Sequence, residues 1–262
     1  MGYINKQGTI KSIIQRLKMA GCVFAEEEAQ LLISEAETLD ELFKMVDKRV
    51  LGLPIEHILG WADFCGIRID IATGVFVPRR RTEFLVEKAA DCIFQGGIVV
   101  DLCCGSGAIG VAIAKAVGCI NLYATDIDPI AVQCAQRNIL KINGQVYEGD
   151  LYNPLPVKIR RRVDMIVANA PYVPTESIKF LPQDFRNHES RIALDGGDDG
   201  LSIQRRVVSE SSVWLAQGGH ILVETSKLQA HRTIEIFTQN GFSTRLEYNA
   251  ELDAYIVIGE KA

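Results

Sequence analysis

The segment VANAPYV, residues 167 to 173, sets an amide side chain, a free carbonyl and an aromatic ring directly after the apolar run Met165, Ile166, Val167. That run reads as a buried strand, so the three groups would be displayed where the strand ends. They suit a planar, delocalised nitrogen. Such a nitrogen attacks a methyl carbon poorly until its lone pair is aligned and its N–H bonds are polarised. Asn169 Oδ1 and the Ala170 carbonyl offer an acceptor to each of two N–H hydrogens and would hold the nitrogen in line with an electrophilic carbon. The same acceptors would stabilise positive charge growing on nitrogen in the transition state. Tyr172 offers a face to a flat group, and Pro171 stiffens the loop by fixing its φ. The competing reading is an ordinary turn at a proline.

A second constellation lies upstream in VVDLCCGSGAIG, residues 99 to 110. Gly105, Gly107 and Gly110 space as GxGxxG between an apolar strand and a helix. Such a turn lets backbone approach a ligand and aims helix N-terminal amides at it. Asp101, Cys103, Cys104 and Ser106 complete the segment. Alone the pattern also describes a tight turn without a ligand. Asp126 adds to it by ending the next strand about twenty residues on, where an acid accepts hydrogen bonds from ribose hydroxyls. An adenosine-containing cofactor is expected, and both NAD and S-adenosyl-L-methionine use these parts. Downstream, Asp150 and Leu151 in EGDLY end a third strand, suited to an adenine edge. A nicotinamide enzyme has no use for the element at 169 to 172, which turns the choice toward S-adenosyl-L-methionine.

These strand ends need a frame. From Thr82 onward apolar strands alternate with helical stretches: TEFLVEKAADCIF, GIVVDL, AIGVAIAKAVG, INLYATD and PIAVQCAQRNILKI, then strands near 146, 163 and 220. That alternation predicts an α/β fold, a parallel sheet covered by helices on both faces, with ligands beyond the carboxyl ends of the strands at the topological switch point. Before it, Ile10, Ile13, Ile14 and Leu17 recur at helical spacing, as do Leu39, Leu42, Phe43 and Val46 behind a Thr38-x-x-Glu41 capping box. FCGIRIDIATGVFV then alternates, with Gly66 and Gly74 as turns. The expected division is a helical unit over 1–58, a β-hairpin linker over 59–80 and the α/β unit over 81–262.

With 262 residues, 48% of them hydrophobic, the chain can bury one large unit and one small one. It has no apolar run long enough to span a membrane and no signal-peptide core, so a cytoplasmic location is expected. Seven cysteines without a CxxC pair suggest reduced thiols, and four scattered histidines suggest no metal site. A net charge of -5, with RRR runs at 79 to 81 and 160 to 162 as the only concentrated cations, disfavours duplex nucleic acid as a partner. Cys103 and Cys104 read as small turn residues rather than nucleophiles, because no base is placed beside them. Glu224 and Gln229 read as solvated residues of a loop after a strand, the run at 160 to 162 as a surface turn, and His188 to Ser190 as part of a substrate pocket.

In order, Asp101 to Gly107, Asp126, Asp150 and Asn169 to Tyr172 resemble the successive motifs of class I methyltransferases with an (N/D/S)PPY loop. GLPIEHILG, GVFVPRRRTEFLVE, HESRIALDGGDDGL and GGHILVETSKLQ resemble, more closely, the HemK/PrmC family of protein N(5)-glutamine methyltransferases. The resemblance covers nearly the whole chain. It implies a helical N-terminal domain, a hairpin linker and a Rossmann-like domain that methylates the glutamine of the Gly-Gly-Gln loop in peptide release factors. It also implies a protein or peptide substrate recruited by the helical domain, and family positions at Glu224 and Gln229. Three departures stand out: NAPY for NPPY, PRRRTE for PRPETE, and Cys103 for the first glycine of DxGxGxG. Ala170 still supplies a carbonyl but less stiffness than proline. Arg80 and Arg81 are either a solvated turn or readers of negative charge on the acceptor. The alternatives are methylation of another amide or amine in a peptide, small metabolite or nucleic-acid base, and a cofactor-binding scaffold without catalysis.

Overall fold

A computed structural model describes residues 6–182 and 188–262; the first five residues of the expected helical unit lie outside the described residues. Helices α1 (Lys6–Met19), α2 (Ala25–Glu35) and α3 (Leu39–Val50) close around their own core of Ile13, Leu17, Ala29, Leu32, Leu42 and Val46. At α3 the hydroxyl of Thr38 accepts from the Glu41 amide at 3.2 Å, as the capping box predicts. Its Glu41 carboxylate reaches the Glu37 amide at 2.8 Å, one residue earlier than the usual box partner. Helix α2 has no counterpart in the sequence expectation; its buried positions are Ala25, Ala29 and Leu32, two of them too small to mark a periodicity.

After the short α4 (Ile55–Leu59), β1 (Trp61–Phe64) and β2 (Ile67–Asp70) pair antiparallel. Cys65 and Gly66 turn the hairpin with φ of 53° and 65°, positive at both central positions as a tight two-residue turn requires. The hairpin stops at Asp70, short of the expected span, and the chain runs on as an irregular strap to Arg79, where a short 3-10 turn over Arg80–Thr82 follows. Asn138 ties the start of the strap to the turn at Ser106: Oδ1 accepts from the Asp70 amide, while Nδ2 donates to the carbonyls of Asp70 and Ser106, all at 2.9 Å.

The remaining chain forms a seven-stranded sheet, order β5-β4-β3-β6-β7-β9-β8. Its strands are β3 (Ile98–Leu102), β4 (Asn121–Asp126), β5 (Gln145–Glu148), β6 (Val163–Ala168), β7 (Leu215–Thr225), β8 (Phe242–Asn249) and β9 (Ala254–Lys261). Alternate residues of each strand serve opposite cores. Val99, Val167 and Leu222 face α5 (Glu83–Cys92), α6 (Ala108–Val117) and α7 (Pro129–Ile139). Val100, Ile166 and Val223 face α9 (Ser202–Ser211) and α10 (Ala230–Gln239), which follow the single helical turn α8 (Arg191–Leu194). Strands covered on both faces read as continuous apolar runs, which is why β3 and β6 are plain in the sequence.

The sheet is not wholly parallel, contrary to expectation: β9 runs antiparallel to β7, and β8 antiparallel to β9. β8 forms the edge; polar Ser243, Arg245, Glu247 and Asn249 interrupt it and only Phe242 is buried, so no apolar run announces it. The strand order reverses between β3 and β6, which are direct neighbours with Leu102 opposite Ala168. Both expected constellations therefore open into one crevice. Among the described residues no helix is long and apolar enough to cross a membrane.

Candidate active site

The crevice holds a cavity of about 630 Å³. Its walls include Cys103 to Ser106 from the turn after β3, Asp126 from β4, Asp150 and Leu151 after β5, and Asn169 to Tyr172 after β6. Of the residues singled out from sequence, Asp101 and Gly107 stand off the wall. Gly107 is the left-handed N-cap of α6 with φ 78°, and a Cβ there would come within 2.8 Å of Ile139 Cδ1. Asp101 is fully buried beneath the turn, where Oδ2 accepts from the Gly110 amide at 3.0 Å and Oδ1 has no partner among the described residues. Burial, with a contribution from the nearby Asp126 charge, pushes its carboxyl up to about 7, against the pull of the Gly110 amide.

The turn is bound to Asp126. Gly105 N donates to Oδ2 at 2.8 Å and Asp128 N donates to Oδ1 at 2.9 Å. Each oxygen keeps lone-pair capacity for one more donor. Among the described residues, chain neighbours apart, none comes within 4 Å of the place where a Cβ on Gly105 would sit, so the turn leaves room beside this acid. An adenosyl group fits that provision: Asp126 would hold the ribose, and the exposed turn backbone would approach the rest. Asp150 is less free than the sequence suggests. Arg206 clamps it through Nη1 to Oδ1 at 3.0 Å and Nη2 to Oδ2 at 2.7 Å. Cys103 takes φ 54° where a glycine would be unstrained, and burial pushes both the Cys103 and Cys104 thiols up, so neither is poised as a thiolate.

On the opposite wall Asn169 Nδ2 donates to Thr82 Oγ1 at 3.3 Å. Oδ1 is then the end of the amide left for a ligand. The loop is held from behind by Gln229, whose Nε2 donates to the Tyr172 carbonyl at 2.9 Å and to the Asp199 carbonyl at 3.2 Å. The Tyr172 phenol receives a hydrogen bond from Arg81 Nη2, and the Arg81 guanidinium carbon lies 5.6 Å from the ring centroid. Burial and the Glu224 charge push the phenol up to about 12, Arg81 opposing them.

Glu224 and Gln229 are not solvated as expected: Glu224 belongs to β7 and is 2% exposed, and Gln229 is 8% exposed. Arg81, one of the two arginines weighed as readers of acceptor charge, reaches the cavity, and so do Thr82 and Arg206, which no sequence signal marked; no local spacing announces an arginine such as Arg206 whose partner is far along the chain. Ser190 reaches the wall, in keeping with its expected place, while Glu189 turns away to pair with Arg79. Arg160 to Arg162 are exposed, as a surface turn should be.

A sheet of this order, with a glycine turn, an acid on the next strand and an amide loop at the switch point, defines a class I S-adenosylmethionine-dependent methyltransferase. Residues 62–187 match the family model of the methyltransferase small domain. The release factor glutamine methyltransferase of Geobacter sulfurreducens is 36% identical over 200 residues, covering 76% of this chain and 69% of the relative. Its namesake from Clostridium acetobutylicum is 32% identical over 232 residues, 85% and 81% of the two chains. The chain belongs to the release factor glutamine methyltransferase family. Among solved structures, the T. thermophilus 16S rRNA N2 G1207 methyltransferase in complex with AdoMet and guanosine shares the fold at TM-score 0.56 and 17% identity, covering 77% of this chain and 50% of that one. The ribosomal protein L11 methylase of Lactobacillus delbrueckii subsp. bulgaricus does so at TM-score 0.53 and 18% identity, covering 74% and 86%.

Proposed function

We propose that this enzyme methylates the side-chain amide nitrogen of a glutamine in a peptide release factor. The observation that carries the reading is the pairing of Asn169 with Ala170 on the cavity wall: one amide oxygen and one main-chain carbonyl, the two acceptors that a primary amide's two N–H groups need. S-adenosylmethionine supplies the electrophilic methyl group. Asp126 holds the ribose, the turn from Cys103 to Gly107 receives the methionine end, and Asp150 with Leu151 borders the adenine, Arg206 fixing the carboxylate. Asp101 acts through the turn by holding Gly110. Asn169 Oδ1 and the Ala170 carbonyl orient the acceptor nitrogen and stabilise the positive charge that develops on it. Tyr172 covers the flat amide, and Pro171 limits the loop's motion.

Residues 1–58 serve as the recruiting unit, 59–80 as the linker and 81–262 as the transferring unit. Support for recruitment comes from the helices, which leave Met19, Val23, Phe24 and Leu51 largely exposed; isolated apolar side chains are common, but several on so small a unit favour a protein partner. The test is incubation of the protein with S-adenosylmethionine and purified release factor, with the glutamine-bearing peptide read by mass spectrometry. One added methyl on that glutamine, absent with Asn169→Ala, is the expected outcome. S-adenosylhomocysteine formed with another acceptor would redirect the substrate, and none formed with any would favour a non-catalytic scaffold.

A further inference from the structure

A primary amide acceptor is served only if Asn169 presents its oxygen; with the side chain flipped, two N–H groups would face each other. We propose that the buried carboxylate of Glu224 fixes this choice, acting through Thr82 on Asn169 and through Arg81 on Tyr172. It is a positioning residue for the acceptor loop, and the inference rests on the transfer reading above.

The geometry begins in the sheet. Ala168 on β6 pairs with Val223 on β7, so Asn169 and Glu224 are the next residues of adjacent strands, at the edge of the cavity. Thr82, 1% exposed at the start of α5, joins them. Its hydroxyl has one proton. If that proton went to Asn169 Oδ1, the amide would turn its Nδ2 into the cavity. Burial pushes the Glu224 carboxyl up, and what opposes burial is the Thr82 hydroxyl and the Arg81 guanidinium. Among the described residues no partner meets full hydrogen-bond geometry with either Glu224 oxygen; Arg81 Nε lies 3.3 Å from Oε1 in an ion pair. A buried carboxylate so sparsely served draws the Thr82 hydroxyl proton toward it, since leaving it without a donor costs more than a neutral hydrogen bond from Thr82 to Asn169 returns. Thr82 Oγ1 is then an acceptor toward Asn169, and the amide settles with Nδ2 on Thr82 at 3.3 Å and Oδ1 toward the cavity.

The second arm runs through Arg81. Glu224 holds one side of its guanidinium, while the other side meets the Tyr172 hydroxyl and stands over the ring at 5.6 Å. A residue that replaces a family carboxylate thereby has its charge met within the chain. It steadies a loop in which alanine at 170 has replaced a proline. The arrangement assigns Arg81 to holding the loop, not to reading charge on the acceptor.

The experiment pairs steady-state transfer to purified release factor with solution NMR of the Asn169 side-chain amide, assigned by its disappearance in Asn169→Ala. Thr82→Val lowers kcat by about tenfold, less than the roughly hundredfold lost with a whole transition-state contact because Asn169 Oδ1 is still present, with calorimetric affinity for S-adenosylhomocysteine within about twofold. Thr82→Ser restores kcat. Glu224→Gln gives at least that loss, since it also frees Arg81, and the double variant Thr82→Val, Glu224→Gln loses no more than Glu224→Gln alone, because the Thr82 link is already cut. In the parent the Asn169 amide protons exchange slowly with water, and in Thr82→Val they exchange fast while amides of residues 98 to 110 do not change. Normal kcat in Thr82→Val, no rescue by serine, or losses that multiply in the double variant would overturn the proposal. If the parent fails to methylate release factor, the function reading falls, and the exchange measurement alone then decides the positioning of Asn169.

Discussion

Gly105 and Asp126 are locked together: the glycine amide of the turn after β3 donates to Oδ2 of the acid that ends β4, at 2.8 Å. The acid proposed to hold the ribose therefore also shapes the loop that would receive the rest of the cofactor. With Asp128 N on Oδ1 at 2.9 Å, the carboxylate is aimed before any ligand arrives, which lowers the ordering cost of binding.

Asp126→Ala should then cost more than its ribose contacts. Hydrogen bonds to a charged acceptor contribute about 1.5–3 kcal/mol each, so affinity for S-adenosylhomocysteine should fall by roughly a hundredfold, and Asp126→Asn should retain part of it. Isothermal titration calorimetry measures both. NAD should give no heat with the parent; tight NAD binding would reassign the site.

If the Asn169 oxygen serves the acceptor as proposed, Asn169→Ala should remove most transfer while leaving cofactor affinity nearly intact. The loss of one such contact is about 3 kcal/mol, or about a hundredfold in rate. Single-turnover methylation of release factor reads it directly, and an unchanged rate would falsify the role given to Asn169.

Gly200 holds the acceptor loop by having no side chain. Its φ is 75°, and a Cβ would sit 2.3 Å from the Tyr172 carbonyl oxygen and 2.4 Å from Gln229 Nε2. Gly218 has a similar φ of 71° with nothing within 4 Å. Gly218→Ala should lose only the backbone strain, about 1–2 kcal/mol. Gly200→Ala should lose more in urea unfolding and also slow transfer, since the Tyr172 carbonyl must move. Equal effects in both assays would show that the contact is dispensable.

What the sequence revealed is what it encodes locally. The glycine turn, Asp126 about twenty residues on, and the amide after an apolar strand are each a few residues wide, and the parallel frame placed them together. The pairing of Asp150 with Arg206 spans 56 residues, and no periodicity announces it. Glu224 was misplaced as solvated because a carboxylate near a strand end usually is; its burial follows from β9 on its far side and from Arg81 and Thr82 before it, none of which its own neighbours specify. The antiparallel edge was missed for the same reason, since β8 carries the mixed pattern of an exposed strand.

Arg81→Glu restores the carboxylate of the resembled PRPETE motif but sets it beside buried Glu224, where the ion pair at 3.3 Å now stands. Like charges at that separation disfavour ionisation of both. The variant should lose stability and transfer together, with little dependence on salt, because the affected pair is partly shielded from solvent. Arg80→Ala, at an exposed residue, should change neither at high salt. Measuring KM for release factor across ionic strength separates the two: a salt-sensitive KM in Arg81→Glu alone would return Arg81 to the role of charge reader.

Asp101 should make stability depend on pH in a direction opposite to a salt-bridged carboxylate. Its folded carboxyl is raised from 3.8 to about 7, chiefly by burial. Between those values the unfolded chain releases a proton that the folded chain keeps, so the folded state binds more protons and stability falls as pH rises. The contribution is fully present below 3.8 and is lost by the time the pH has passed about 7. At about 1.4 kcal/mol per unit the whole shift is on the order of 4 kcal/mol. Asp101→Asn keeps an oxygen for the Gly110 amide and has no charge to bury. Its unfolding free energy relative to the parent should therefore climb from pH 4 to pH 7 and level off above, whatever its offset at the acid end. Urea titrations of both proteins at unit pH steps give the difference, in which titrations common to the two cancel. A difference that is flat across this range would mean that Asp101 is ionised in the folded protein at acid pH, with a partner for Oδ1 that stabilises its charge.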